Sequence, residues 1–396
     1  MMDATRSLPL IILIALFVYP FVIYPVVLAL WASKARRAGL PEGHGGMPQE
    51  AMPQEATPQE AMPSVALVIC ALNEERIIRQ KIENSLCLRY PPDQLKIVVI
   101  SDGSTDRTVQ IARRFRPAGV EVVVEPVRRG KIANLNRVIP ARSEDIIVLS
   151  DANVLYHPDA VMRLVERFRD PSVGCVSGKV VLRETTPDLN GPTGQYYSLE
   201  WTLQEQSSTI YSMTGADGAM YALRRELFRP CPNDTLIEDF VIPMQVIRQG
   251  KRVVLEPAAI GWEKGVQSLR EEFRRKVRIA AGAAQALVRG SAWPLHAPAR
   301  FWFIFLSHKL LRWLSPLTGM LVLAAAASSF QEPVSRMAMA SIALITALAM
   351  LRWVTGWTQT VFSAPFYFLF GQAAMAVGLW KGVAGRQTVL WAKADR

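Results

Sequence analysis

Between residues 64 and 168, short β-rich runs alternate with helical stretches, and this alternation constrains the fold more than any other feature of the chain. Residues 65–70, 96–100, 120–125 and 145–150 are predicted strands. The intervening segments 75–88, 106–114, 131–141 and 159–168 are predicted helices. Such alternation builds a mainly parallel sheet covered by helices on both faces. A further strand is expected at 173–182, with Gly174 and Gly178 inside it, and helices at 236–249 and 268–288. The α/β domain so defined covers residues 64–290.

Apolar stretches frame this domain. Residues 8–31 carry no charge and are long enough to cross a hydrocarbon core of ~30 Å. They lack the short apolar region and small-residue cleavage site of a signal peptide, so residues 1–33 are expected to hold an uncleaved transmembrane helix. Lys34, Arg36 and Arg37 follow, against Asp3 and Arg6 in front, which places the next segment in the cytoplasm. Residues 47–61 repeat Pro-Gln-Glu-Ala after Met or Thr; the recurring proline bars helix and sheet, and residues 34–63 read as an extended tether. Within 291–396, three further spans are predicted at 316–330, 337–351 and 361–380. Residues 301–313 include His308, Lys309 and Arg312 and read as an interfacial amphipathic helix. One span before the domain and three after it would put the basic tail (Lys381, Arg386, Lys393, Arg396) outside, whereas the charge rule wants it inside. Either one candidate does not cross or residues 301–313 belong to an additional crossing. The net charge of +11 fits a membrane surface better than nucleic acid, so no nucleic-acid partner is expected. Cys70, Cys87, Cys175 and Cys231 show no metal spacing and read as reduced thiols.

Polar residues gather where the strands end. Strand 145–150 runs into Asp151-Ala152-Asn153, a carboxylate and an amide that can both present oxygen to one cation. Ligands of open α/β sheets collect at that edge. Hard cations take oxygen from one or two protein groups and leave the rest to substrate phosphates. The first strand runs into Asn73-Glu74, and the second into Ser101-Asp102-Gly103-Ser104-Thr105-Asp106. Asp102 suits a hydrogen bond from a base imide or ribose hydroxyl, and Gly103 permits close backbone approach. Ser104 and Asp106 read equally as the cap and first-turn acid of the next helix. Gly130-Lys131 opens a helix where an ammonium could reach a phosphate; a solvated helix start explains it as well.

In order, Asn73-Glu74, Asp102-Gly103-Ser104, Gly130-Lys131, Asp151-Ala152-Asn153, Gly215-Ala216-Asp217-Gly218 and Glu238-Asp239 resemble the motifs of membrane-bound family 2 glycosyltransferases, of the cellulose-synthase-like and hyaluronan-synthase-like group. The resemblance covers residues 64–290 and implies the GT-A fold, a Rossmann-like, mixed but mainly parallel sheet flanked by transmembrane helices. It implies nucleotide-sugar binding by Asn73, Glu74, Asp102, Lys131, Asp151 and Arg278. It further implies a Mg²⁺ or Mn²⁺ ion held by Asp151 and Asn153, acceptor contacts from Gly215, Asp217 and Gly218, and Asp239 as general base. The implied partners are a nucleotide-sugar donor, a glycan or lipid-linked acceptor, membrane lipids, and proteins of exopolysaccharide assembly or export.

The residues support that chemistry. Sugar transfer from a nucleoside diphosphate needs a cation on the leaving diphosphate and a base beside the incoming hydroxyl. Direct displacement inverts the anomeric centre and needs one carboxylate base; retention by double displacement would need a second, nucleophilic one. Asp239 precedes the apolar residues 240–244, where partial burial raises a carboxyl pKa. The alternative is that Glu238 and Asp239 merely complement the helix dipole.

Three departures stand out. Asn153 replaces a common second Asp and Leu72 a common aromatic residue. Of the Gln-x-x-Arg-Trp motif of processive enzymes only Arg278 survives, within the basic run Arg274-Arg275-Lys276. An inverting, metal-dependent transferase of the bacterial inner membrane, using a UDP-sugar, is therefore expected, with single transfer favoured over polymerisation. Two rivals remain: a sugar nucleotidyltransferase, which the glycine-free 71–76 loop disfavours, and a non-catalytic membrane scaffold with a decayed domain.

Overall fold

The computed structural model describes residues 4–37, 62–183, 192–265 and 268–390. The proline repeat at 47–61, and Lys393 and Arg396 of the tail, lie outside the described residues. The chain begins with α1 (Ala4–Val18) and α2 (Ile23–Arg37). The sheet domain then runs β1 (Val65–Ala71), α3 (Ile78–Leu86), β2 (Leu95–Asp102), α4 (Thr108–Arg113), β3 (Glu121–Glu125), α5 (Lys131–Val138) and β4 (Ile146–Asp151). It continues through β5 (Leu155–Tyr156), α6 (Ala160–Glu166), β6 (Val173–Arg183), α7 (Pro192–Ile210), β7 (Met220–Arg224), α8 (Glu238–Arg248), β8 (Arg252–Lys264) and α9 (Leu269–Val288). Last come α10 (Ala299–Trp313, with a π-helical turn at Leu306–Leu310), α11 (Ser315–Ser328), α12 (Pro333–Thr355) and α13 (Thr360–Val383).

The eight strands form one sheet in the order β3-β2-β1-β4-β7-β6-β8-β5. Strands β1 to β4 pair in parallel, β7 runs antiparallel between β4 and β6, and β8 is parallel to β6. Successive side chains of a strand face opposite sides, so the Val- and Ile-rich runs feed two cores. Val68, Ile100 and Leu149 face α5, α8 and α10. Leu67, Val99 and Val148 face α3 and α6. Each such burial contributes about 1.5–3 kcal/mol.

The register decides where the chemistry falls. Cys70 lies level with Ile100 and with Asp151, so β1, β2 and β4 end together. Because β7 is antiparallel, its start adjoins that same edge, with Met220 opposite Ser150. Strand β8 runs parallel to β6, and hence to β4, so its end also reaches there.

The membrane segments differ from expectation. The single span at 8–31 is a pair of helices bent by 55° between Val18 and Ile23. Pro20 sits in the break, where its missing N–H interrupts the helical ladder. The arm at 301–313 is not an exposed interfacial helix: Phe301 and Phe305 are fully buried against the sheet domain. Glu200 of α7 fastens it there, with carboxylate contacts to His308 (3.0 Å), Lys309 (3.4 Å) and Arg312 (2.7 Å). The arm meets α11 at 63°. Helices α12 and α13 are each long and apolar enough to cross a membrane, and the two bent pairs raise the possible spans to four.

Helix α13 lies along α9 through small residues. A methyl group added at Gly378 would come within 2.5 Å of Ala280 Cβ and Val277 O, so only glycine admits this approach. Beyond α13, Val389 and Leu390 reach about 3.6 Å from the Cβ position of Gly130. The segment after α13 therefore returns to the sheet domain.

Candidate active site

The carboxyl edge of the sheet gathers Lys131, Asp151, Asp217, Gly218, Glu238, Asp239 and Arg278. Lys131, at the start of α5, places its ammonium 2.8 Å from Asp151 Oδ1, 2.8 Å from Glu238 Oε1 and 3.1 Å from the Gly218 carbonyl. Burial works against its charge, but Asp151 and Glu238 outweigh burial and hold its pKa well above the ordinary value. A fixed positive charge thus stands at the edge. Asp151 is 41% exposed, and only its Oδ1 is engaged among the described residues.

Asp239 opens α8. Its backbone carbonyl accepts from Ala216 N at 2.9 Å, which ties the 215–218 loop to the helix start. Gly218 lies directly under the side chain: a Cβ there would sit 2.8 Å from Asp239 Oδ2. Burial, reinforced by the neighbouring Glu238 carboxylate, pushes the Asp239 carboxyl up to about 6 against the pull of Arg278 and Lys131. No donor binds this carboxylate among the described residues. It is therefore a proton acceptor poised near neutrality. Arg278 donates to the Leu236 carbonyl (3.2 Å) and so holds the turn before α8. Asp217 is half-buried, accepts from Ala219 N at 3.0 Å, and is pushed up to about 7, first by desolvation and then by Glu263, Asp239 and Asp151.

Other expected site residues are tied into the surrounding loops. The Asp102 carboxylate accepts from Arg129 N (2.7 Å), Gly130 N (2.9 Å) and Asn134 Nδ2 (2.9 Å). It thereby sets the loop that delivers Lys131. Asn73 adopts a left-handed backbone (φ 54°), and its Oδ1 accepts from Thr105 N at 2.8 Å. Glu74 N donates to Thr108 Oγ1 at 2.7 Å, so the β1 and β2 loops are laced together. Asn153 does not point a bare amide at Asp151; its Nδ2 donates to Glu263 Oε1 at 2.9 Å. In the basic run on α9, Arg275 and Lys276 pair with Glu272 of their own helix at 3.0 and 3.2 Å.

Sequence reasoning missed two residues. Glu263 is the penultimate residue of β8, a strand whose Pro257 and Gly261 hide it from a β-pattern reading. Lys81 of α3 is fully buried beneath the Asp151–Tyr156 turn, donating to the Val154 carbonyl (2.5 Å) and lying 3.8 Å from the Tyr156 ring centre. A polar residue on the inner face of a helix was its signal.

The edge carries the carboxylates of Asp151, Asp217, Glu238, Asp239 and Glu263 against the cations of Lys131 and Arg278. A diphosphate would add to that negative excess, so a divalent cation fits. No three His, Cys, Asp or Glu side chains converge to hold a metal among the described residues. That arrangement suits an ion that takes few protein ligands and completes its shell with phosphate oxygens. A separate cavity of about 360 Å³, lined by Met62, Asp145, Arg169 and Arg224, opens near the start of β4, away from this chemistry.

The mixed sheet and its acidic carboxyl edge define a GT-A glycosyltransferase domain. Residues 66–231 match the family described as Glycosyl transferase family 2. That match lies within the sheet domain. Poly-beta-1,6-N-acetyl-D-glucosamine synthase of Staphylococcus aureus (strain COL) is 25% identical over 228 residues, covering 56% of this chain and 55% of the relative. A probable glycosyltransferase, YdaM, of Bacillus subtilis (strain 168) is 28% identical, covering 55% and 54%. These matches thus take in about half the length of each relative. Among solved structures, the mannosyltransferase PcManGT from Pyrobaculum calidifontis, in complex with GDP-Man and Mn²⁺, superposes with a TM-score of 0.69 at 24% identity, covering 96% of this chain and 99% of that one. It shares the fold.

Proposed function

We propose that the chain is an inverting, metal-dependent glycosyltransferase that moves a sugar from a nucleotide sugar, of the UDP class, to a lipid-linked or growing surface glycan. The observation that carries this reading is the Asp239 carboxylate, unbonded and raised to about 6, seated over Gly218 on the edge that also holds Asp151 and Lys131. The relative named as a polysaccharide synthase and the neighbour bound to GDP-Man and Mn²⁺ support the substrate class and the cation.

In this mechanism Asp151 and Asn153 face the donor diphosphate and would hold Mg²⁺ or Mn²⁺ there. The bound cation supplies charge neutralisation to the leaving diphosphate. Lys131 adds a fixed positive charge on the same side and keeps Asp151 in place. The 215–218 loop positions the acceptor so that its hydroxyl meets Asp239. Asp239 takes the hydroxyl proton as the oxygen attacks the anomeric carbon from the face opposite the diphosphate, and one displacement inverts the configuration. Arg278 moderates the Asp239 charge, and the Glu238–Lys131 pair keeps the second acid out of the proton transfer.

A multi-pass placement in a bacterial inner membrane, with the sheet domain in the cytoplasm, is part of this reading, and α12 and α13 support it. Val389 and Leu390 lie against Gly130, which favours an even number of crossings between α9 and that point. Helices α12 and α13 supply two crossings, and the bent α10–α11 arm enters without passing through.

The test uses the full chain in lipid nanodiscs. A nucleotide-sugar panel with Mn²⁺ should give one class that raises thermal stability. Asp239→Asn should keep that shift and lose turnover by at least a hundredfold. Turnover at the wild-type rate in Asp239→Asn, with donor binding intact, refutes the assigned base.

A further inference from the structure

We propose that Glu263 is the second anionic ligand of the divalent cation, with Asn153 as the clamp that aims it. The proposal rests on the metal-dependent reading above and deepens it. Asp151 alone gives the ion one protein charge, and Asn153 offers only a neutral oxygen. The fold brings a replacement from another strand. After Asp151 the chain turns into β5, which pairs antiparallel with the end of β8, Leu155 opposite Trp262. That register carries Glu263 alongside the Asp151–Asn153 turn. There the Asn153 amide donates to Glu263 Oε1 at 2.9 Å.

The hydrogen bond fixes the direction of the pair. An Asp at 153 would repel Glu263 from this position; Asn attracts it. The charge that the turn lacks is therefore present one side chain further out. Two carboxylates from different strands plus diphosphate oxygens make a usual ligand set for Mg²⁺ or Mn²⁺. A divalent ion between Asp151 and Glu263 would also offset the excess of acids along the edge. Trp262 contacts the Arg183 guanidinium, 4.4 Å from its ring centre, and the His157 ring, at 6.1 Å. The strand end that presents Glu263 is held accordingly.

The experiment measures Mn²⁺ binding directly, by loss of the free-ion electron paramagnetic resonance signal, on the full chain in nanodiscs with UDP. Glu263→Gln keeps the oxygen that accepts from Asn153 and removes only the charge. We expect it to weaken Mn²⁺ binding tenfold or more. Asp151→Asn should weaken it at least as much. The double variant Glu263→Gln, Asn153→Asp returns a carboxylate to the turn and should regain most of the affinity. If Glu263→Gln binds Mn²⁺ within twofold of wild type while Asp151→Asn does not, the cation site stands without Glu263 and the proposal is wrong. A double variant as weak as Glu263→Gln overturns it too, marking Glu263 as a prop for the strand end. If the wild-type chain takes up no Mn²⁺ with UDP or GDP, the metal-dependent reading itself fails, a result distinct from both.

Discussion

Gly218→Ala tests the geometry of the base with the smallest possible perturbation. The backbone at Gly218 shows no left-handed φ, so alanine meets no conformational penalty there. Its methyl group would lie 2.8 Å from Asp239 Oδ2 and 3.1 Å from Asp239 Cβ, whereas ordinary contact begins near 3.4 Å. The carboxylate must therefore retreat by about 0.6 Å. A misplacement of about 1 Å in a catalytic group costs on the order of a hundredfold. Scaled logarithmically, the loss in kcat here is on the order of tenfold, about 1.4 kcal/mol of transition-state stabilisation. The donor side should be spared, because Lys131 touches only the Gly218 carbonyl, which the substitution leaves in place. The assay is nucleoside diphosphate release in nanodiscs under saturating donor, with donor affinity and Tm measured on the same preparation. We expect kcat to fall about tenfold while donor affinity stays within about twofold. A variant that folds, binds donor and turns over at the wild-type rate would refute the claim that Asp239's position limits transfer. Equal losses in kcat and donor affinity would refute the separation of base from donor site.

The remaining predictions concern charge. The rate should fall as pH drops through about 6, because protonated Asp239 cannot accept the acceptor proton; a rate that stays flat down to pH 4.5 would exclude it as base. Burial lowers the Lys81 pKa to about 7, so between that value and its ordinary 10.5 the folded state binds fewer protons than the unfolded. Wild-type Tm should therefore gain from a rise between pH 7 and 10 relative to Lys81→Met, and matching pH slopes would count against a strained ammonium at this position. Glu200→Ala leaves Lys309 and Arg312 without their shared carboxylate, and breaking such a partly buried cluster costs about 3–5 kcal/mol. It should lower Tm by several degrees or release the arm to proteolysis, and an unchanged melting curve would show the fastening to be ornamental.

The parallel half of the sheet was legible because each strand is a short Val/Ile run closed by polar residues. The antiparallel half was not. The run Met220–Arg224 shows no alternation, and β8 contains Pro257 and Gly261. Asp151, Asp239 and Lys131 could be placed on one edge because they stand at a strand end and at helix starts, where an α/β sheet presents ligands. Asp102 could not be resolved by the same rule. A carboxylate at a strand end serves a ligand or a loop equally well, and the three donors converging on it, which show the loop role, come from a segment the strand pattern does not point to. The bend in the N-terminal segment was hidden for a related reason: hydropathy counts apolar residues, whereas Pro20 acts on the hydrogen-bond ladder.

The deeper gap between sequence and site lies in which strand supplies a charge. A motif read along the chain treats Asn153 as a weakened Asp. In the folded protein Asn153 is a donor to Glu263, a residue far along the chain that arrives through the β5–β8 pairing. The same logic governs Lys131. Its pKa is raised although burial opposes its charge, since Asp151 comes from β4 and Glu238 from α8, and neither neighbours it in sequence. The cation of α5 is thus balanced by acids from two other elements. Removing any one element's contribution should therefore disturb the others, and the double variant at Asn153 and Glu263 asks whether the balance depends on where a carboxylate sits in the chain or only on where it sits in space.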